Sequence, residues 1–222
     1  MNLLKNQTIV ITGALGGLGR AVCAAAESKG ARVIRLDITC DDNLPDSYAV
    51  DLTDAIATKD LIKSLGPFDS LVNLAGGFAM GLESWDANDE QWDLMFSLNV
   101  STMRNAIKAA VPVLLAQQGG SIVNVGAFGA REGQGAMGAY CASKSVVMRL
   151  TETLAEELKT KGINVNAVLP TVIDTPANRA AMPDSDPADW VSPNDLANVI
   201  CFLLSDEANA VHGALLPVRG LS

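Results

Sequence analysis

A short run of apolar and β-branched residues, TIVIT (8–12), passes directly into the glycine-rich turn TGALGGLG (12–19), and a helical pattern, LGRAVCAAAESKG (18–30), opens inside that turn. A strand so uniformly apolar belongs in a sheet covered on both faces. Gly13, Gly17 and Gly19 follow a G-x-x-x-G-x-G spacing. Glycine permits a tight turn and lets backbone N–H groups approach a pyrophosphate, while the following helix N-terminus favours negative charge. Strand, glycine turn and helix in this order point to a dinucleotide-binding α/β unit, with Gly13, Leu15, Gly16, Gly17, Leu18 and Gly19 as its expected cofactor contacts.

Strands alternate with helices along the rest of the chain. The patterns predict strands at 32–37, 69–77, 120–127, 163–170 and 213–218, and helices at 54–66, 89–118, 138–162 and 191–208. Pro112 is expected to kink or break the 89–118 helix near its end. Such alternation predicts an α/β fold: a doubly wound parallel sheet with helices on both faces. The 222 residues suit one domain, 1–222, and no repeat is visible. Segment 171–192 is the longest irregular stretch, contains Pro176, Pro183 and Pro187, and follows a strand's carboxyl end. Loops there line the ligand crevice of such folds, so it is expected to be a substrate lid.

Composition narrows the partners. The net charge is −9, which gives no attraction to nucleic acid or to an anionic membrane surface. No apolar stretch is long enough to span a bilayer, and MNLLKNQTIVITG lacks the pattern of a secretory leader. Cys23, Cys40, Cys141 and Cys201 are scattered, without CxxC or zinc spacing. A cytoplasmic protein with free thiols and no metal site is the expectation.

The second strand ends in Asp37, 18 residues after Gly19. A carboxylate there accepts hydrogen bonds from ribose hydroxyls and repels a 2′-phosphate, which favours NAD(H). Arg20 and Arg35 lie near enough in sequence to serve a 2′-phosphate, so NADP(H) stays open. Asp51 followed by apolar Leu52 suits an adenine edge, and Asp54 suits the cap of the next helix.

With these features stand NLAG (73–76), Asn99 in SLNV, YCASK (140–144) and LPTVIDTP (169–176). Together they make the chain resemble the short-chain dehydrogenases/reductases over essentially its whole length. The resemblance implies a Rossmann-type sheet of seven strands and a nicotinamide cofactor. It also implies a homodimer or homotetramer assembled through the 89–118 and 138–162 helices. It adds Asn73, Ala75, Gly76, Lys144, Pro170, Val172 and Thr175 to the cofactor contacts, and gives Tyr140, Lys144 and Asn99 as the catalytic set. Tyr140 and Lys144 are i and i+4 and share a helix face. A lysine ammonium beside a phenol, near a cationic nicotinamide ring, favours the phenolate and lowers its pKa from about 10. Tyr140 would then give or take the proton that accompanies hydride transfer. Lys144 would also hold ribose hydroxyls, and Asn99 a water linked to Lys144.

One family feature is missing. The family places a serine thirteen residues before the tyrosine, where it donates to the reacting oxygen; this chain has Gly126-Ala127. Loss of such a donor costs about 2.7–4 kcal/mol of barrier. Three readings remain open: a non-catalytic nucleotide-binding sensor, a substitute hydroxyl from Ser143 or Thr171, or a substrate that needs little polarisation. LAGGFAMG (74–81), GAFGAREGQGAMGAYCASK (126–144) and AVLPTVIDTPANRAAMPDSDPADW (167–190) resemble the dihydropteridine reductase subgroup, which also carries alanine there. Its quinonoid dihydropterin substrate is already electron-poor. The resemblance implies NADH-dependent reduction of such a compound, with an alcohol/ketone oxidoreductase as the alternative. Ala127, Phe78 and Trp190 are the expected substrate contacts; packing in the core or lid is the other role open to the two aromatics.

Overall fold

The structure, a computed structural model, describes residues 3–221; residues 1, 2 and 222 of the expected single domain lie outside the described residues. Seven parallel strands form one sheet: β1 (Thr8–Thr12), β2 (Arg32–Asp37), β3 (Ser47–Ala49), β4 (Ser70–Asn73), β5 (Gly120–Val125), β6 (Ile163–Pro170) and β7 (Leu215–Val218), in the order β3-β2-β1-β4-β5-β6-β7. The helices are α1 (Gly17–Ser28), α2 (Ala55–Ser64), α3 (Asp89–Phe96), α4 (Thr102–Ala116), α5 (Gly138–Leu158), α6 (Pro176–Ala181) and α7 (Pro193–Leu203).

The period-two alternation of strand side chains fills two apolar layers. Ile9 and Ile11 of β1 pack with Val22 and Ala26 of α1 and with Leu196 and Ile200 of α7. Val10 faces the other side, with Met103 and Ile107 of α4 and Val147 of α5. The chain leaves β3 and crosses to β4 on the far side of β1, so the strand order reverses between β1 and β4. The carboxyl ends of these two strands open the crevice in which such folds bind dinucleotides.

Two expectations change. Pro112 does not break its helix: α4 runs past it to Ala116. The proline is on the exposed face, where water can satisfy the carbonyl its missing N–H releases. The interruption lies earlier, in a π-helical turn at Ser97–Ser101 that separates α3 from α4 and contains Asn99. The strand β3 was not visible in the residue patterns; its three residues pair with Arg35–Asp37 at the sheet edge. Segment 171–192, the expected lid, is more ordered than its composition suggests. It contains α6, and Asp174 N donates to Val191 O (2.9 Å) while Val191 N donates to Val172 O (2.8 Å). Arg179 and Asp174 also pair through two hydrogen bonds.

Candidate active site

The glycine turn is built by close approach. Gly13 sits at φ +64°, and a Cβ there would lie 2.8 Å from Ala75 N. A Cβ on Gly19 would lie 2.1 Å from Gly13 O, so only glycine lets α1 start against the turn. Thr12 joins the two strand ends: its hydroxyl donates to Val72 O (3.4 Å) and accepts from Leu74 N (3.2 Å) and Ala75 N (3.3 Å). A Cβ on Gly17 would lie 3.0 Å from Thr175 Cγ2, so the turn and the loop after β6 face each other across the crevice. The N-cap of α1 is Gly16, with no side-chain cap and no acidic residue in the first turn. These N–H groups are directed at a site suited to an anion.

At the adenosine end, Asp37 is held in place. Its Oδ2 accepts from Leu15 N (2.8 Å) and its Oδ1 from Ile38 N (2.8 Å). Each oxygen keeps a lone pair, enough for a ribose diol. Arg35 is removed from consideration for a 2′-phosphate: it is buried, pairs with Glu27, and donates to Val33 O (3.2 Å) and Pro45 O (3.0 Å). Arg20 stays exposed and donates to Leu15 O (3.0 Å). Asp51 accepts from the Thr53 hydroxyl (2.6 Å) and the Thr53 N–H (2.9 Å), which hold its carboxyl below the usual range. Leu52 is buried in the core beside it. Asp54 caps α2 as expected, accepting from Ile56 N and Ala57 N.

The strand ends beyond the turn carry the remaining predicted residues. Asn73 Nδ2 donates to Asn124 Oδ1 (2.8 Å), and Asn124 Nδ2 donates to the Thr151 hydroxyl (2.9 Å), tying β4 to β5 and α5. Asn73 Oδ1 is buried and has no partner among the described residues. Pro170 closes β6, Val172 follows it and accepts from Val191 N, and Thr175 caps α6. A nicotinamide dinucleotide fits this cradle: open helix N–H groups, a fixed carboxylate and a glycine-lined crevice lie in line along the sheet edge. Once bound, it supplies hydride chemistry.

Tyr140 and Lys144 lie on one face of the first turns of α5. Lys144 Nζ donates to Val125 O (2.9 Å), and burial brings its pKa down to about 8. Tyr140 departs from expectation. Burial, with a small contribution from Cys141, pushes its phenol up to about 12. The protein's own groups therefore keep Tyr140 protonated, because burial strips water from around the ring. Phe78 stands edge-on to the tyrosine ring, with centroids 4.9 Å apart and planes at 79°; its own ring is half exposed. Asn99 is fully engaged: its Oδ1 accepts from Gly77 N (2.9 Å), and its Nδ2 donates to Gly77 O (3.0 Å) and to the Ser143 hydroxyl (3.0 Å). Gly76 passes so near that a Cβ would lie 2.7 Å from Asn99 Oδ1 and 3.5 Å from Lys144 Nζ.

The corner without the serine is packed shut. Ala127 is buried with Ala130, Cys141, Met148 and Leu169, and Tyr140 and Phe128 pack against that cluster. A Cβ on Gly126 would lie 2.4 Å from Leu169 Cδ2 and 3.1 Å from Met148 Cγ. Ser143 is not a substitute donor, because its hydroxyl donates to Tyr140 O (2.8 Å) and it is fully buried. Trp190 is only 8% exposed, so its indole is packed away and presents no open face to a substrate. Among the described residues, no group of three or more His, Cys, Asp or Glu is placed to hold a metal, and no helix is long and apolar enough to cross a membrane.

Known proteins share this layout. A 2-(S)-hydroxypropyl-CoM dehydrogenase of Xanthobacter autotrophicus is 32% identical, over 99% of this chain and 97% of its own. A 3-oxoacyl-acyl-carrier-protein reductase of Thermotoga maritima is also 32% identical, over 98% of each. Among solved structures, a candidate NAD(P) dependent gluconate 5-dehydrogenase from Beutenbergia cavernae superposes with a TM-score of 0.89 at 28% identity, covering 99% of this chain and 97% of that one; it holds NADP at low occupancy. A candidate 2-deoxy-d-gluconate 3-dehydrogenase from Agrobacterium tumefaciens, with NADP bound, gives 0.89 at 30% identity over 99% and 97%. The short chain dehydrogenase family pattern matches residues 7–186. The chain belongs to the short-chain dehydrogenase family.

Proposed function

We propose that this NAD(P)-dependent short-chain oxidoreductase works with NADH and reduces an electron-poor conjugated heterocycle of the quinonoid dihydropterin type, with Tyr140 as proton donor. The observation that carries this reading is the wall beside Tyr140. Ala127 and Gly126 offer no hydroxyl, Ala127 is buried in an apolar cluster, and Leu169 and Met148 fill the space into which a Gly126 side chain would project. A carbonyl substrate would lose about 2.7–4 kcal/mol of transition-state stabilisation for want of that donor. A quinonoid heterocycle is already polarised and needs chiefly one proton. Tyr140, kept neutral by burial, suits giving that proton, and Lys144 suits holding the ribose. The half-exposed Phe78 ring offers an apolar face to a planar ring. Asp37 and the locked Arg35 favour the cofactor without a 2′-phosphate.

A second reading, an alcohol/ketone oxidoreductase, is favoured by the names of the relatives, which are dehydrogenases and reductases of other substrates. A nucleotide-binding sensor would have no use for Tyr140 and Lys144 on one helix face. The readings separate in one assay: NADH oxidation with chemically generated quinonoid dihydropterin and with a panel of ketones and alcohols, for wild type and Tyr140→Phe. The expected outcome is pterin turnover by wild type, its loss in Tyr140→Phe with NADH binding retained, and little change in Ala127→Ser. Turnover of ketones alone would sink the pterin reading. NADH binding without turnover of anything would sink both enzyme readings.

A further inference from the structure

Ser143 lies between Tyr140 and Lys144 in sequence, with its side chain fully buried. Its hydroxyl donates to Tyr140 O (2.8 Å) and accepts from Asn99 Nδ2 (3.0 Å). Asn99 in turn grips Gly77 at both backbone polar groups, at 2.9 and 3.0 Å. The next residue, Phe78, sets its ring edge-on against Tyr140. These contacts form a closed circuit that leaves the Tyr140 backbone and returns to the Tyr140 side chain. We propose that Ser143 is a positioning residue that, through Asn99 and the backbone at 77–78, holds Phe78 against Tyr140 and so fixes the orientation of the proton donor.

The position requires a group that donates and accepts at once, which a hydroxyl does and a methyl does not. Asn99 has two Nδ2 hydrogens, and Gly77 and Ser143 take both. Removing the Ser143 hydroxyl leaves one buried N–H without its acceptor, at a place enclosed from solvent. It also removes the contact that tells the Asn99 amide which way to face. Gly76 has no slack to absorb a rotation, since Asn99 Oδ1 already occupies the place of a Cβ. A loosened Asn99 therefore moves the 77–78 backbone, and Phe78 with it.

The inference rests on Tyr140 as proton donor, and its test is arranged so that the two fail separately. Ser143→Ala, Ser143→Thr, Phe78→Leu and the Ser143→Ala/Phe78→Leu pair are compared with wild type in the full chain. Three quantities are read: NADH affinity by tryptophan fluorescence, alkaline tyrosinate absorbance after a rapid pH jump, and kcat and KM on whichever panel substrate wild type reduces. The chain has two tyrosines, so Tyr140 titrates beside Tyr48 alone.

Ser143→Ala should bind NADH as wild type does and keep its KM, while kcat falls about tenfold through misplacement of the donor. Its Tyr140 titration should move down from about 12 as the Phe78 cover loosens. Phe78→Leu should reproduce both changes, the pair should be no worse than either single variant, and Ser143→Thr should restore kcat. Wild-type kcat and titration in Ser143→Ala would overturn the proposal. So would loss of NADH affinity in step with kcat, or additive losses in the pair. If wild type reduces nothing, the functional reading falls, and the titration shift still decides the role of Ser143.

Discussion

Lys144 shows how much a single residue's chemistry depends on burial. Depressed from 10.5 to about 8, it forces the fold to enclose a charge at lower pH, whereas the unfolded chain holds that proton to higher pH. The unfolded state thus binds more protons between about pH 8 and 10.5, and stability rises with pH across that window. Tyr140 acts in the opposite sense: raised from 10 to about 12, it makes stability fall as pH passes through that higher range. Urea midpoints should therefore increase from pH 8 to pH 9, below the range in which the buried Cys23 thiol, pushed up from 9.0 to about 11, opposes the rise, and Lys144→Met should remove the increase. Reduction should weaken above pH 8 if the Lys144 ammonium holds the ribose as proposed; kcat/KM against pH reads this. The i, i+4 pair was legible in the sequence because helical spacing is local. The direction of the tyrosine shift was not, since it depends on Phe78, Cys141 and the alanine cluster, which come together only in the fold. Which of the roles open to Trp190 and Arg35 holds was hidden for the same reason: sequence gives proximity along the chain and leaves side-chain direction open.

Elements with strong periodicity matched their predicted limits closely, as β1, β2 and β6 do. Those whose boundaries depend on tertiary contacts did not. Nothing in SLNVS (97–101) signals a π turn, and the contacts Asn99 makes from it, to Gly77 and Ser143, lie in elements far away in sequence. The three residues of β3 are too few for a pattern and take their geometry from β2. The loop leaving β5 is an element shaped by exclusion, since Leu169 of β6 and Met148 of α5 meet where a Gly126 side chain would stand. Gly126→Ala should therefore lower stability by about 1–3 kcal/mol through overpacking. Leu169→Val should recover part of it in the double variant, as measured by denaturant unfolding. Failure of that recovery would show that Leu169 is not the obstacle.

At the scale of the molecule, the crevice sits where strand order reverses, and its walls come from segments far apart in sequence: the glycine turn, the end of β4, the start of α5 and the loop after β6. A ligand that spans them stabilises the native state alone, by about 2.7 kcal/mol when its concentration is a hundred times its Kd. NADH should raise the melting temperature more than NADPH at equal concentration, and Asp37→Ser should narrow the difference. An equal or larger shift with NADPH would remove the NADH preference. The overall fold was readable from alternation and motif order, and so was the placing of Tyr140 and Lys144 on one helix. The enclosure of Ala127 was not, because it depends on β6 and α5 closing over β5. The bond from Leu15 N to Asp37 Oδ2 has a consequence for redesign. The carboxylate we propose as the discriminator between cofactors also fastens the loop that would cradle their phosphates. An engineer who swaps it to admit NADPH unbuckles that loop in the same stroke, so new specificity would arrive with weaker binding of either cofactor until a second substitution refastens Leu15.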